Sequence, residues 1–479
     1  MAAAKKEKTA MRRGIELGGI LLLYYAITLL PTPAGLSMEG LKALAMFFCI
    51  ILMWALEPVP LPIISLLYVP FVVFTGMMKL GPALSNFANS SIFLIIAALM
   101  MSPAMEKSGL AERVVYYMLS KIGCTASRML VGITVANIIL AFLIPSTAAR
   151  TATLLPVCLA IIELYRKRSN IEGRNNFAVA LLLTMGFTNS IISSGILTAT
   201  VPNPVVVSFI AQATGYTISY VEWLIFGFPP ALIMTAFATW YISFVFKPEV
   251  NEIPGGAEHI VEKLKEKGKM SVAEWKTAII FGLVVLLWLT GGITKIDTSV
   301  AAIIGVILMF VTNVITWQDA AKTTGFQFML TMAGGFIIAD LLFQTGAAKW
   351  LALTLFNALD IQHVSIAVLL LVVMAIVQYL HIPFIGTTKL ATMMIPVVIS
   401  IAQIAEVSPA VLAFPSGMLI SGFPLFLFYN TISNLLVFGT GELEFKDFPK
   451  VGFPIATVAV LVFGVMAFTY WKWLGLYNL

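Results

Sequence analysis

The stretch Ile144-Pro-Ser-Thr-Ala-Ala-Arg-Thr-Ala-Thr-Leu-Leu-Pro156 interrupts an apolar run of membrane length with a proline, several hydroxyls and one arginine. Lipid offers the backbone no hydrogen-bond partners, so a polar break at membrane depth is tolerated only where protein or a wet cavity surrounds it. A second break, Ile382-Pro-Phe-Ile-Gly-Thr-Thr-Lys-Leu-Ala-Thr-Met-Met-Ile-Pro396, repeats the grammar: proline, small and hydroxyl residues, a cation, then an apolar stretch closing on proline. Paired breaks of this kind are the pattern of a transporter binding site, and the rest of the chain reads as apparatus for holding two tips against one ligand.

Composition agrees. Of 479 residues, 60% are hydrophobic and 11% charged, with a mean hydropathy of +0.97, which places the chain among polytopic membrane proteins. The net charge of +6 is read by position, because membrane proteins concentrate lysine and arginine in cytoplasmic loops; it carries no nucleic-acid footprint. Cys49, Cys124 and Cys158 lie in or beside apolar runs without metal-ligand spacing and are expected to be packing residues. The first apolar run follows Lys5, Lys6, Lys8, Arg12 and Arg13 as a signal peptide would, but it ends in Leu-Pro-Thr-Pro with no small-residue cleavage site and is expected to be a retained span.

Spans are expected at Gly14 to Leu30, Leu41 to Leu56, Leu61 to Met77 and Ser91 to Met105, followed by an amphipathic piece from Glu106 to Lys121. The arms beside the first tip, Met129 to Ile144 and Leu154 to Tyr165, each look short for a crossing and both have basic outer ends, so they read as a re-entrant hairpin. Phe177 to Ile192 resumes the membrane and breaks at Ser193-Ser194-Gly195-Ile-Leu-Thr198-Ala-Thr200-Val-Pro202-Asn203, the pattern of an unwound helix. Lys247 to Lys276 is the one long charged segment, a surface linker.

The second half repeats the first. Glu222-Trp-Leu-Ile-Phe-Gly-Phe-Pro-Pro-Ala231 matches Asp447-Phe-Pro-Lys-Val-Gly-Phe-Pro-Ile-Ala456, and Glu106-Lys-Ser-Gly-Leu-Ala-Glu-Arg-Val114 resembles Phe343-Gln-Thr-Gly-Ala-Ala-Lys-Trp-Leu351. Tyr429-Asn-Thr431-Ile-Ser433-Asn434 stands where Ser193 to Asn203 stood. With a cytoplasmic amino terminus and hairpins that do not cross, 22 of the 29 basic residues lie inside and five outside, leaving Arg150 and Lys389 in the tips. The expected fold is therefore an all-α polytopic membrane protein of eleven transmembrane helices plus two re-entrant hairpins, its halves related by inverted topology. The expected divisions are 1–40 (amino-terminal segment and first span), 41–246 (first repeat, hairpin at 129–165), 247–275 (linker) and 276–479 (second repeat, hairpin at 363–404). The location is a multi-pass cell or inner membrane, amino terminus cytoplasmic and carboxyl terminus outside.

At these residues the sequence resembles the divalent anion/sodium symporter family, whose members carry di- and tricarboxylates or sulfate. In that family each hairpin tip carries Ser-Asn-Thr and each unwound helix a Thr-Pro-Pro-Asn type signature. Here the tips read Ser146-Thr147-Ala148 and Gly386-Thr387-Thr388, and the signatures Thr200-Val-Pro-Asn203 and Thr431-Ile-Ser-Asn434. The tip asparagines, which help to ligate sodium in the symporters, are absent. The stretch from Ser193, with an arginine shortly after the first tip, is most similar to the sodium-independent exchanger branch, which includes bacterial citrate/succinate antiporters and plastid dicarboxylate exchangers. The resemblance implies a homodimer with a static scaffold and a mobile, elevator-type transport domain. It implies a carrier of small carboxylate anions, working by exchange without sodium, with sodium-coupled symport of dicarboxylate or sulfate as the alternative. No organic cofactor or protein-held metal is implied.

The candidate substrate-binding residues are Ser146, Thr147, Arg150, Ser193, Ser194, Thr198, Thr200, Asn203, Gly386, Thr387, Thr388, Lys389, Thr431 and Asn434. Each has a plainer reading beside it. Arg150 and Lys389 can serve as struts or reach for the membrane surface. The tip hydroxyls can cap helices, which is compatible with anion binding because helix amino termini attract anions. Asn203 and Asn434 can tie unwound backbone, and Gln378 and His381 can make interhelical hydrogen bonds. An intramembrane enzyme would need His-Glu-x-x-His, Gly-x-Ser-x-Gly or paired aspartates, none of which is in the sequence. An anion channel would need a continuous polar lining, whereas polarity here is confined to the breaks.

Overall fold

The computed structural model describes residues 9–122, 125–252, 256–323, 326–358, 365–384 and 386–478. Apart from one isolated backbone bridge between Thr125 and Glu252, all regular structure among them is helical. The first half contains α1 (Ala10–Thr28), α2 (Met38–Leu56), α3 (Leu61–Phe74), α4 (Leu80–Ser85), α5 (Ser90–Ser108) and α6 (Leu110–Ile122). It continues with α7 (Ala126–Leu143), α8 (Thr147–Ser169), α9 (Asn176–Ser194), α10 (Pro202–Thr214) and α11 (Tyr220–Val245). Helix α12 (Gly256–Glu266) lies in the linker and packs on α6. The second half runs α13 (Val272–Thr294), α14 (Thr298–Val311), α15 (Trp317–Thr323), α16 (Phe326–Gln344), α17 (Ala347–Ala358), α18 (Ile366–Tyr379), α19 (Thr387–Ile404), α20 (Pro409–Gly422), α21 (Ile432–Phe438), α22 (Asp447–Phe468) and α23 (Tyr470–Trp473). Ten helical stretches among the described residues are long and apolar enough to cross a bilayer, and α3, α14, α18 and α20 are apolar but shorter. The protein is an all-helical polytopic membrane protein.

The order from α2 to α11 recurs from α13 to α22, and the recurring sequence motifs have recurring physical jobs. Gly109 and Gly346 end α5 and α16 in left-handed backbone, φ +79 and +71, a geometry glycine adopts without a Cβ penalty. Glu222 and Asp447 sit in the first turns of α11 and α22, where a carboxylate complements the helix dipole. Gly227 and Gly452, from the matched Gly-Phe-Pro segments, let those helices press on the unwound backbone. Gly227 touches Gly195, and a Cβ on Gly452 would stand 2.2 Å from the Leu425 carbonyl oxygen.

The halves also interlock. Helix α8 packs against α21 and α19 against α10, so each hairpin's second arm meets the other half's broken helix, while α3 packs on α16 and α14 on α5. A smaller apolar core joins α1, α2 and α3 to the end of α16 and the start of α17; the larger core fills the rest.

Polar contacts sort the loops onto two faces. On one, Lys107 pairs with Asp319 at 2.6 Å, Arg113 with Glu274 at 2.6 Å, Lys267 with Glu112 at 2.6 Å and Arg174 with Asp447 at 2.8 Å. The bond from Lys107 holds the Asp319 carboxyl well below its ordinary range. On the other, Trp350 Nε1 donates to the Ala34 carbonyl at 3.1 Å, and the Tyr470 hydroxyl and Trp471 Nε1 donate to the carbonyls of Ile225 and Phe226 at 2.7 Å. Both ends of the first hairpin rest on the first, or linker, face. The Ser127 hydroxyl donates to Asn251 at 3.1 Å, the Tyr165 hydroxyl to the Val250 carbonyl at 3.1 Å, and Arg166 pairs with Glu442. A hairpin whose two ends bond to one short segment enters and leaves by the same face.

The tip itself is narrower than the sequence reading. Its second arm starts at Thr147 rather than Leu154 and runs 23 residues through Pro156, and the first arm has 18 residues. Each arm is thus long enough to cross, and face sorting rather than length identifies the re-entry. The reason is local: the Ser146 hydroxyl accepts the Ala149 N–H at 3.2 Å and starts the helix early, and an interior proline removes one N–H bond without ending the helix. Cys49 and Cys158 are buried; Cys124, residues 363, 364 and 385 of the second hairpin, and residues 253–255 of the linker lie outside the described residues.

Candidate binding site at the hairpin tips

A cavity of about 400 Å³ opens where both tips meet both breaks. Tip one contributes Pro145, Ser146, Thr147 and Ala148, and tip two Gly386, Thr387, Thr388 and Lys389. The first break adds Thr200, Val201 and Pro202, the second Asn430, Thr431 and Ile432. The far wall is Glu57, Leu61, Pro62, Leu99, Gln327, Phe328 and Thr331, from α2 and its following loop, α3, α5 and α16. Helices α8 and α19 both start at this cavity, aiming two positive dipole ends and their first-turn N–H groups at it.

The tips are built differently. Ser146 spends its hydroxyl on the α8 cap. Gly386, at φ +94, starts α19 without a side-chain cap, and its N–H donates to the Asn430 carbonyl at 3.3 Å. The Thr387 and Thr388 hydroxyls make no hydrogen bond among the described residues and remain available to a ligand. Thr431 lines the cavity while its hydroxyl accepts the Asn434 N–H at 3.0 Å.

Arg150 is placed otherwise than the sequence reading expected. It is fully buried and is not part of the cavity wall. Its Nε donates to Asn189 Oδ1 at 2.6 Å, Nη1 to the carbonyls of Ile144 and, at 3.3 Å, Ala199, and Nη2 to the Ser193 hydroxyl. The guanidinium is the centre of a ring of four oxygens that fastens tip one to the first break. Burial explains the geometry, because a guanidinium withdrawn from water must fill its donors with whatever oxygens are present.

Ser193 belongs to that ring, and Ser194, Thr198, Asn203 and Asn434 are likewise buried outside the wall. Asn203 Nδ2 donates to the carbonyls of Ser193 and Ile196 at 2.8 and 2.9 Å. Asn434 Nδ2 donates to those of Pro424 and Leu427 at 2.9 and 3.4 Å. Gln378 donates to the Phe423 carbonyl at 2.8 Å, and the His381 ring bonds the carbonyls of Gln378 and Ile420. The sequence reading passed over Glu57, Gln327, Thr331 and Asn430. Only Glu57 carried a signal, an acid followed by Pro-Val-Pro between two apolar spans. Among the described residues no three His, Cys, Asp or Glu side chains gather as a metal site. A larger cavity of about 480 Å³ between α1, α2 and α3 is walled mainly by aliphatic and aromatic groups and shares no residue with the tips.

A polytopic helical protein whose two hairpins and two broken helices converge on one polar cavity is a membrane transport protein, not an enzyme. The sodium:sulfate symporter transmembrane region family matches residues 14–477, and the chain belongs to that family. It is 29% identical over 484 residues to the sodium-dependent dicarboxylate transporter SdcS of Staphylococcus saprophyticus, covering 96% of this chain and 92% of that one. It is 26% identical over 456 residues to the putative malate transporter YflS of Bacillus subtilis, covering 94% of each. In architecture it is similar to the YdaH transporter of Alcanivorax borkumensis, with a TM-score of 0.54, 13% identity, and coverage of 82% of this chain and 88% of that one.

Proposed function

We propose that the protein is a secondary transporter of small di- and tricarboxylates that works as an obligate anion exchanger, independent of sodium. The substrate class is supported by two helix amino termini, available hydroxyls and an ammonium on one cavity, and by relatives named for dicarboxylate and malate. Exchange is supported by one observation: the positive charges at both tips are covalent parts of the chain, Arg150 inside its ring of oxygens and Lys389 on the wall. Two backbone carbonyls, an amide oxygen and a hydroxyl around one charge is the donor set an alkali cation would take, and the guanidinium fills it.

Fixed cations cannot leave with the substrate. Moving such charge uncompensated through a low-dielectric barrier costs on the order of several kcal/mol, and each kcal/mol slows the step about fivefold. A bound dianion offsets it, so the loaded return dominates. In this reading α7 to α11 and α18 to α22 move as the transport part against a scaffold of the remaining helices, within a homodimer in the inner membrane, and the linker face is cytoplasmic. The second reading, sodium-coupled symport, is favoured by the name of the Staphylococcus relative.

The deciding experiment is counterflow in proteoliposomes loaded with succinate, malate, citrate or sulfate, with and without sodium. The exchanger gives carboxylate counterflow of equal rate in both buffers; uptake that needs sodium supports the second reading.

A further inference from the structure

The wall of this anion site contains an anion. Glu57 ends α2, and its carboxylate stands 3.6 Å from the Lys389 ammonium. Among the described lining residues these two alone are charged. The side chains are 29% and 12% exposed, so solvent screens the pair less than it would one on the surface. A dicarboxylate approaching Lys389 finds the ammonium already paired with a carboxylate, which it must displace. Glu57 is also an odd residue for its backbone. Its φ is +46, a left-handed helix end that glycine or asparagine fills with less strain.

The partners come from different parts of the molecule. Glu57 joins α2 to α3, and α3 packs on α16; Lys389 opens the arm whose tip is tied to the second broken helix through Gly386 and Asn430. The first group is scaffold and the second transport part in the reading above, on which this inference rests.

We infer that Glu57 is an internal stand-in for the substrate. In the empty carrier its carboxylate holds Lys389 and keeps the transport part against the linker-face half of the scaffold. A bound dicarboxylate takes over the ammonium, Glu57 lets go, and the transport part is free to move. The empty return is blocked twice, because it breaks this pair and then carries the Lys389 charge with neither Glu57 nor a substrate carboxylate against it. Glu57 acts through Lys389 rather than on the substrate, which makes it a positioning residue.

The test is calorimetric titration of succinate into purified wild type, Glu57→Gln, Lys389→Gln and the double variant. Removing an internal competitor tightens binding, so Glu57→Gln is expected to bind roughly three- to tenfold more tightly than wild type. The gain disappears when Lys389→Gln is the background. Glu57→Asp withdraws the carboxylate by one methylene and shifts affinity the same way by less, which keeps the test open if the glutamine variant does not fold. As a second readout, Glu57→Gln proteoliposomes leak succinate into substrate-free buffer faster than wild type. Unchanged or weaker binding by both Glu57 variants overturns the inference and leaves the exchanger reading standing. A wild type that binds no member of a dicarboxylate panel overturns both.

Discussion

Asn203 and Asn434 make the same two bonds in the two halves of the chain: each side-chain amide donates to carbonyls ten and seven residues upstream, across the break of its own helix. Each Oδ1 is buried without a hydrogen-bond partner among the described residues. One amide closing two unwound carbonyls, twice, is the clearest structural mark of the internal repeat. Replacing either asparagine with alanine removes both bonds across its break, at about 0.5–1.5 kcal/mol each; the carbonyls of Ser193, Ile196 and Leu427 keep the backbone N–H groups of Ile196, Ala199 and Asn430. Thermal unfolding in detergent reads this out: both variants melt below wild type, and a variant that melts unchanged shows that its break is held by something else.

The tip hydroxyls separate ligand binding from capping. Thr387→Ala removes a hydroxyl with no hydrogen-bond partner among the described residues, so it is expected to leave the melting temperature in place. A lost hydrogen bond to a charged substrate costs about 1.5–3 kcal/mol, roughly ten- to a hundredfold in affinity. Ser146→Ala also uncaps α8, at about 0.5–2 kcal/mol of stability. Titration and melting of the pair give different signatures; equal affinity in both variants and wild type makes these hydroxyls structural.

The amount of this readable from sequence follows the physics of each signal. Both hairpins, both breaks and the repeat were legible because lipid forbids unpaired backbone, so every polar interruption of an apolar run marks a structural event. The direction a side chain takes at such an event was not legible. Arg150 stands four positions after Ser146, yet the first turn of α8 carries it behind the tip while Ser146 and Thr147 face the cavity. Glu57 was missed for the converse reason: it follows an ordinary span and meets Lys389 only through long-range packing.

Close backbone approach gives a steric prediction. A Cβ on Gly452 would lie 2.2 Å from the Leu425 oxygen, so Gly452→Ala is expected to prevent folding, whereas Gly282→Ala on α13, which meets nothing within 4 Å, is tolerated. Size-exclusion profiles of the two solubilised variants check this. A monodisperse Gly452→Ala protein contradicts the packing of α22 on the second break.

The two faces predict opposite labelling. In a background lacking the native cysteines, Cys at Lys265 in the linker is expected to react with an impermeant thiol reagent only from the cytoplasmic side, and Cys at Lys472 only from outside. Reaction of both positions from one side contradicts the face assignment.

The central claim, exchange enforced by fixed tip cations, is tested most directly by efflux from proteoliposomes preloaded with labelled succinate and diluted into sodium-free buffer without substrate. Wild type is expected to hold its load and to release it when external dicarboxylate is added, and Lys389→Gln to leak without it. Rapid wild-type efflux into empty buffer, or uptake that follows an imposed sodium gradient, contradicts the account.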